Sequence, residues 1–272
     1  MAKNVLVVGM PRSGTSMTAG IFARAGYFVT DEPDVDLRPG DPGNPDGYWE
    51  AEGLIERNVE VFRAAGYAGH NTWLFDPIEA AAQERIHGLE PVAGHADFVE
   101  RFQRNRPWIW KDPRLCYTLG YWWKLLDPEQ TCVVLTSRDP EAIYRSFLRL
   151  GWREASDEAR ADVFARVEDH MAAAREAIRR YGIPHEVIVY EEVADDAARI
   201  ARAISELCGT DIGADDLGFD RRFDHSGARG RLTAAAESAA MLLPAGVRSV
   251  VKRLVPSSVI SALFPERGAG AG

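Results

Sequence analysis

The chain has 272 residues, 46% hydrophobic and 27% charged, with a formal net charge of −9. That is the make-up of a folded domain with a sizeable core, and the acidic balance excludes a general nucleic-acid binder, which needs a basic stripe. Cys116, Cys132 and Cys208 are scattered and odd in number, so reduced thiols in a cytoplasm are expected rather than a disulfide framework, and without CxxC or HExxH no metal site is expected.

Val5 to Val8 form an apolar run that suits a central parallel strand. Gly9 to Ser16 follow as a turn of Gly and small hydroxyl residues, and a helix is expected from Ser13 to Ala25, stopped at Gly26. Such a strand–turn–helix gathers free N–H groups at the positive end of a helix and binds anions, although the same arrangement also occurs as plain packing. Gly9 and Gly14 meet the spacing of the nucleotide loop GxxxxGK[ST], but Thr15 stands at the lysine position and the cation is Arg12. That suits a less highly charged phosphate-bearing donor better than a triphosphate.

Residues 30–47 are rich in Pro, Gly and Asp and read as a long functional loop. Residues 50–65 return to helical periodicity through Leu54, Val59 and Phe62, and 78–104 form a helical stretch interrupted near Gly88 to Gly94. Trp108 to Trp110 read as a short strand ending at Lys111-Asp112-Pro113-Arg114, and Thr131 to Leu135 as a clean buried strand. Pro140 opens a helix to Leu150, a charged helix spans 157–181, Val187 to Val189 form a further strand, and a helix runs on to Cys208. Alternating strands and helices predict an α/β fold: a three-layer parallel sheet flanked by helices, like that of the P-loop NTPases.

The strand at 131–137 delivers Arg138 to the carboxyl edge of that sheet, where α/β proteins bind ligands, and Ser146 lies eight residues on. The two can clamp one phosphate from two sides, the arginine by paired hydrogen bonds; alternatively Arg138 caps local carboxylates and Ser146 faces a neighbouring helix.

Together these segments resemble one family. Pro11, Arg12, Ser13, Gly14, Thr15 and Ser16 resemble the 5′-phosphosulfate loop of bacterial-type sulfotransferases that use 3′-phosphoadenosine 5′-phosphosulfate (PAPS), and Arg138 with Ser146 resembles their 3′-phosphate motif. Asn44 to Glu50, Trp110 to Arg114 and Val189 to Glu192, with Tyr190, also look like segments of that family, over roughly residues 4–230 in all. The resemblance implies sulfuryl transfer from PAPS, leaving adenosine 3′,5′-bisphosphate (PAP), to a hydroxyl of a small molecule, lipid or sugar. It also implies that the basic stretch 219–231, with Arg221, Arg222 and Arg229, closes over the 3′-phosphate and adenine. Many members carry lysine at the position of Arg12, and Pro113 stands about where eukaryotic cytosolic members place a histidine.

Such transfer rests on positioning and charge stabilisation. Arg12 and the amides of residues 13–16 are placed to receive charge on the leaving phosphate, and no Mg²⁺ requirement is expected. With no histidine in place, Glu50 is the expected base, a role glutamate takes in related families; the plain alternative is that it caps its helix. Asp112 is the runner-up. Lys111 either steadies the sulfuryl group or pairs with Asp112. The aromatic groups Trp108/Trp110 and Tyr121/Trp122/Trp123 are expected in the core, and no histidine shows ligand spacing.

Residues 239–264 are apolar with three cations and no acid. They read either as an amphipathic element touching a membrane surface or as packing over the core or a dimer partner, and packing is preferred. No signal peptide and no membrane-length apolar run is seen. The expected organisation is an α/β domain over 1–232, in which 30–104 shapes the acceptor site, then a helical segment 233–267 and a disordered tail 268–272. Nothing assigns an oligomeric state or a particular acceptor. The competing functions are a nucleotide or small-molecule kinase with a degenerate loop, and a non-catalytic nucleotide-binding module.

Overall fold

The computed structural model describes residues 1–40, 44, 47–67 and 77–217. Arg221, Arg222, Arg229 and the segments 219–231, 233–267 and 268–272 lie outside the described residues. Among the described residues the chain forms two compact units, one of 1–140 and 164–217 and one of 141–163.

The elements follow in chain order as β1 (Asn4–Val8), α1 (Thr15–Arg24), α2 (Pro33–Asp36), α3 (Glu52–Ala64), α4 (Ala80–Gly88), α5 (Ala93–Gln103), β2 (Ile109–Lys111), α6 (Leu115–Trp123), β3 (Thr131–Ser137), α7 (Pro140–Leu150), α8 (Asp157–Tyr181), β4 (His185–Val189) and α9 (Ala197–Cys208). The strands form one parallel sheet in the order β2-β1-β3-β4. Val5 to Val8 are wholly buried because β1 is an interior strand covered on both faces. The pairings Val7↔Lys111, Val8↔Leu135 and Ser137↔Val189 bring the carboxyl ends of all four strands to one edge.

Residues alternate across β1. Val5 and Val7 face a core with Ile21 and Phe22 of α1 and Ile200, Ile204 and Cys208 of α9. Ile200, Ala201, Ile204 and Cys208 recur at helical spacing, which gives α9 one apolar stripe. Gly209 ends that helix in the left-handed region (φ 66°). On the other face the Trp110 ring packs 5.5 Å from Phe98 of α5 and 5.2 Å from Trp122 of α6. Helices therefore flank both faces of the sheet, as the sequence predicts. The aromatic groups expected in the core are there: Trp108, Trp110, Tyr121, Trp122 and Trp123 are all buried.

The expected loop at 30–47 contains the short helix α2, and Leu37 pairs with Ala51 in an isolated antiparallel bridge. In the second unit, the Tyr144 hydroxyl donates to the carbonyls of Glu154 and Ser156 at 3.1 Å, and Arg160 donates to Glu141 at 2.7 Å. No described helix is long and apolar enough to cross a membrane.

Candidate active site

The turn after β1 is closed from within. The Ser13 hydroxyl donates to the Met10 carbonyl at 2.7 Å and lies 2.8 Å from Thr136 Oγ1, while the Ser13 N–H donates to the same carbonyl. Ser13 is thus a strut that ties the turn to β3. Gly14 follows at φ 98° as the residue preceding α1, and no side chain caps that helix. A helix start of this kind leaves its first N–H groups without intrahelical partners, and Thr15 and Ser16 open it. A Cβ on Gly14 would stand 2.7 Å from Cδ2 of the Tyr190 ring, so the turn and the end of β4 are in close contact.

Arg12 also takes a left-handed backbone (φ 70°), which a side chain adopts at a cost and which marks functional turns. Its carbonyl accepts a hydrogen bond from Arg138 Nη1 at 3.0 Å. The Arg138 guanidinium lies 4.1 Å over the centre of the Tyr190 ring and 3.9 Å from Glu191 Oε1, which itself accepts from the Asp139 N–H. Arg138 is 8% exposed, yet its Nε and Nη2 have no hydrogen-bond partner. A buried guanidinium in that state is costly by itself and is suited to an anion that accepts from its fork. Ser146 is buried on α7, in the second unit.

The second half of the site is a buried carboxylate. Glu50 is 2% exposed; its Oε1 is paired with Lys111 Nζ, and its Oε2 lies 3.8 Å from Arg38 Nη1. Arg38 sits 4.1 Å over the Tyr48 ring, its N–H donates to the Glu50 carbonyl at 3.2 Å, and Lys111 Nζ is 5.8 Å from the centre of the same ring. Gly47 (φ 85°) and Trp49 (φ 56°) give the chain the turn that brings Glu50 inward. Glu50 does not cap α3: the residue before that helix is Ala51, with no side-chain cap.

Lys111 pairs with Glu50 rather than Asp112. Asp112 Oδ1 accepts from the Arg114 N–H at 3.1 Å and Nη1 at 2.9 Å, and Oδ2 accepts from Asn58 Nδ2 at 2.8 Å. Asn58 Oδ1 in turn accepts from Thr118 and Trp122. Asp112 therefore anchors a buried polar network between α3 and α6, and each of its oxygens already has a partner.

Arg38, Asn58 and Thr136 support these contacts and lie outside the motifs of the sequence, whereas Tyr48 falls within the family-like segment Asn44 to Glu50. Thr136 carries a signal, standing near the end of the strand that leads into Arg138. Arg38 carries little, because an arginine in a Pro/Gly-rich loop looks solvated. Among the described residues no cluster of three or more His, Cys, Asp or Glu is placed to hold a metal ion.

The family model for sulfotransferases matches residues 4–214. No curated protein matches the chain. Among solved structures, the sulfotransferase domain of an olefin synthase from Synechococcus PCC 7002 is 18% identical over 92% of each chain, with a TM-score of 0.44. A sulfotransferase from Mycobacterium avium is 14% identical over 80% of this chain and 66% of its own, also at 0.44. A sulfotransferase domain from the curacin biosynthetic pathway is 14% identical over 85% and 82%, at 0.43.

Proposed function

The chain belongs to the sulfotransferase family, and from that premise we propose that it transfers a sulfuryl group from PAPS to a hydroxyl of a small molecule, lipid or sugar. The observation that carries the proposal is Arg138: buried, stacked on Tyr190, bonded to the Arg12 carbonyl, and with two guanidinium nitrogens still without acceptors. In a chain of net charge −9, such a cation beside an uncapped helix start supports an anionic donor bound by local geometry.

The residues present fit that donor. The amides at 14–16 and Arg12 are suited to its 5′ phosphosulfate, and Arg138 to its 3′-phosphate; Ser146, Arg221, Arg222 and Arg229 are assigned to that phosphate by the family resemblance alone. Tyr190 carries the Arg138 guanidinium on its ring beside them. When bound, the donor supplies the sulfuryl group and a phosphate leaving group. Arg12 and the helix amides stabilise charge on the departing oxygen, each worth roughly 2–4 kcal/mol of barrier. Glu50 Oε2 lies beyond hydrogen-bond length from Arg38 and is the oxygen left to accept the proton of the acceptor hydroxyl. Lys111 fixes the other oxygen and brings positive charge to the reacting side. The loop and helices over 30–104 shape the acceptor site.

Calorimetry with PAP and with Mg·ATP, on the wild type and Arg138→Met, tests the reading. PAP binds the wild type, and the variant loses roughly tenfold or more in affinity, the worth of one charge-assisted bond. Binding of Mg·ATP without PAP would instead mark a kinase-like nucleotide site and overturn it.

A further inference from the structure

Cys132 and Cys208 lie 76 residues apart in the chain, yet their sulfurs are 3.5 Å apart in the fold. Cys132 is the second residue of β3 and Cys208 the last of α9, and both are fully buried. Neither sulfur is bonded to another cysteine. Cys132 Sγ also points to the Asn4 carbonyl at 3.6 Å. A cystine bond is about 2.05 Å long, so closing this pair asks for about 1.5 Å of approach shared between two side chains.

We propose that Cys132 and Cys208 form a modification site, a dithiol that a low-molecular-weight disulfide such as oxidised glutathione converts to an intramolecular cystine. Nothing in the sulfuryl-transfer reading uses either thiol. Access is through the segment 1–3, which covers the end of α9: the Lys3 N–H donates to the Cys208 carbonyl at 2.7 Å, and the Met1 carbonyl lies 2.7 Å from where a Cβ on Gly209 would be. Local opening of that segment uncovers Cys208 without unfolding the sheet. While the segment is closed, the hydrogen bond to Cys132 and burial hold the Cys208 thiol far above the ordinary range, so little thiolate is present to react.

The balance is simple. One cysteine, as thiolate, attacks a sulfur of oxidised glutathione; that S–S bond breaks and one glutathione leaves as thiolate. The second cysteine gives its proton to water and attacks the protein sulfur of the mixed disulfide, and the second glutathione leaves. Two protein thiols are oxidised and one glutathione disulfide is reduced to two thiols. The product ties β3 covalently to the C-terminus of α9.

The test uses the folded wild-type chain and Cys116→Ser, each incubated with oxidised glutathione, then unfolded, alkylated and digested without reduction. The expected result is an intact mass, taken before alkylation, lower by two hydrogens in both proteins, then a Cys132–Cys208 cross-linked peptide in the digest, Cys116 of the wild type alkylated, and reversal by dithiothreitol. Full alkylation of Cys132 and Cys208, retained glutathione on either, or a cross-link to Cys116 would overturn the proposal.

Discussion

Glu50 shows how a single residue is defined by partners far away in sequence. Its carboxylate is held on one side by Lys111, at the end of β2, and faced on the other by Arg38. Glu50→Gln keeps the shape and removes the carboxylate proposed to accept the proton, so turnover is expected to fall by about 10² to 10⁴ while PAP affinity stays near the wild-type value; steady-state kinetics beside calorimetry checks both. The sequence identified Glu50 by residue type and by its place after a loop. It did not identify the Lys111 pairing, because a contact made across the sheet edge leaves no local pattern, and a lysine beside an aspartate suggests the nearer partner. His170 makes a separate prediction at this scale. It is buried, its Nδ1 donates to the Arg166 carbonyl at 2.7 Å, and burial, with the Arg166 charge adding to it, pushes its pKa down to about 4. The unfolded chain therefore binds the extra proton first. Stability is full above about pH 6.5 and falls as pH drops towards 4, by about 3 kcal/mol in all. Urea melts across that window are expected to show this slope in the wild type and a shallower one in His170→Gln.

Among the elements, the turn from β1 to α1 is the most legible and the most constrained. Every residue it needs is local: an apolar run, glycines at 9 and 14, small hydroxyl residues, then a helix. Gly14→Ala would meet two obstacles, a φ of 98° and the Tyr190 ring 2.7 Å from the new carbon. A loss of roughly 2–4 kcal/mol in stability is expected from the strained backbone and overpacking together, with weaker PAP binding because Tyr190 carries Arg138. A variant that unfolds at the same urea midpoint as wild type would show that the contact yields freely. The charged stretch 157–181 predicts helix α8, and the interruption at Gly88 to Gly94 separates α4 from α5. Helix α2 was hidden inside a Pro/Gly/Asp stretch. Proline at the first position of a helix carries no structural penalty, so Pro33 marked a helix start where composition suggested only loop. Strand β4 begins at His185, two residues earlier than its apolar run, because its exposed start is polar.

For the whole molecule, alternation of strands and helices was enough to give a parallel α/β architecture, but not the strand order. Interior β1 and edge β2 are distinguished by pairing, which depends on contacts more than 100 residues apart, and nothing in a short apolar run specifies its neighbours. The same sheet explains how a protein of net charge −9 gathers cations: the parallel strands deliver Arg12, Lys111 and Arg138 to one edge, where helix ends add to them. The direct test of that account is transfer itself, measured with sulfur-labelled PAPS, a panel of phenols, sterols and sugars, and EDTA present throughout. The account predicts label on a hydroxyl acceptor with PAP released in equal amount. Label that stays on the donor across the panel, with phosphate moved from Mg·ATP instead, would contradict it.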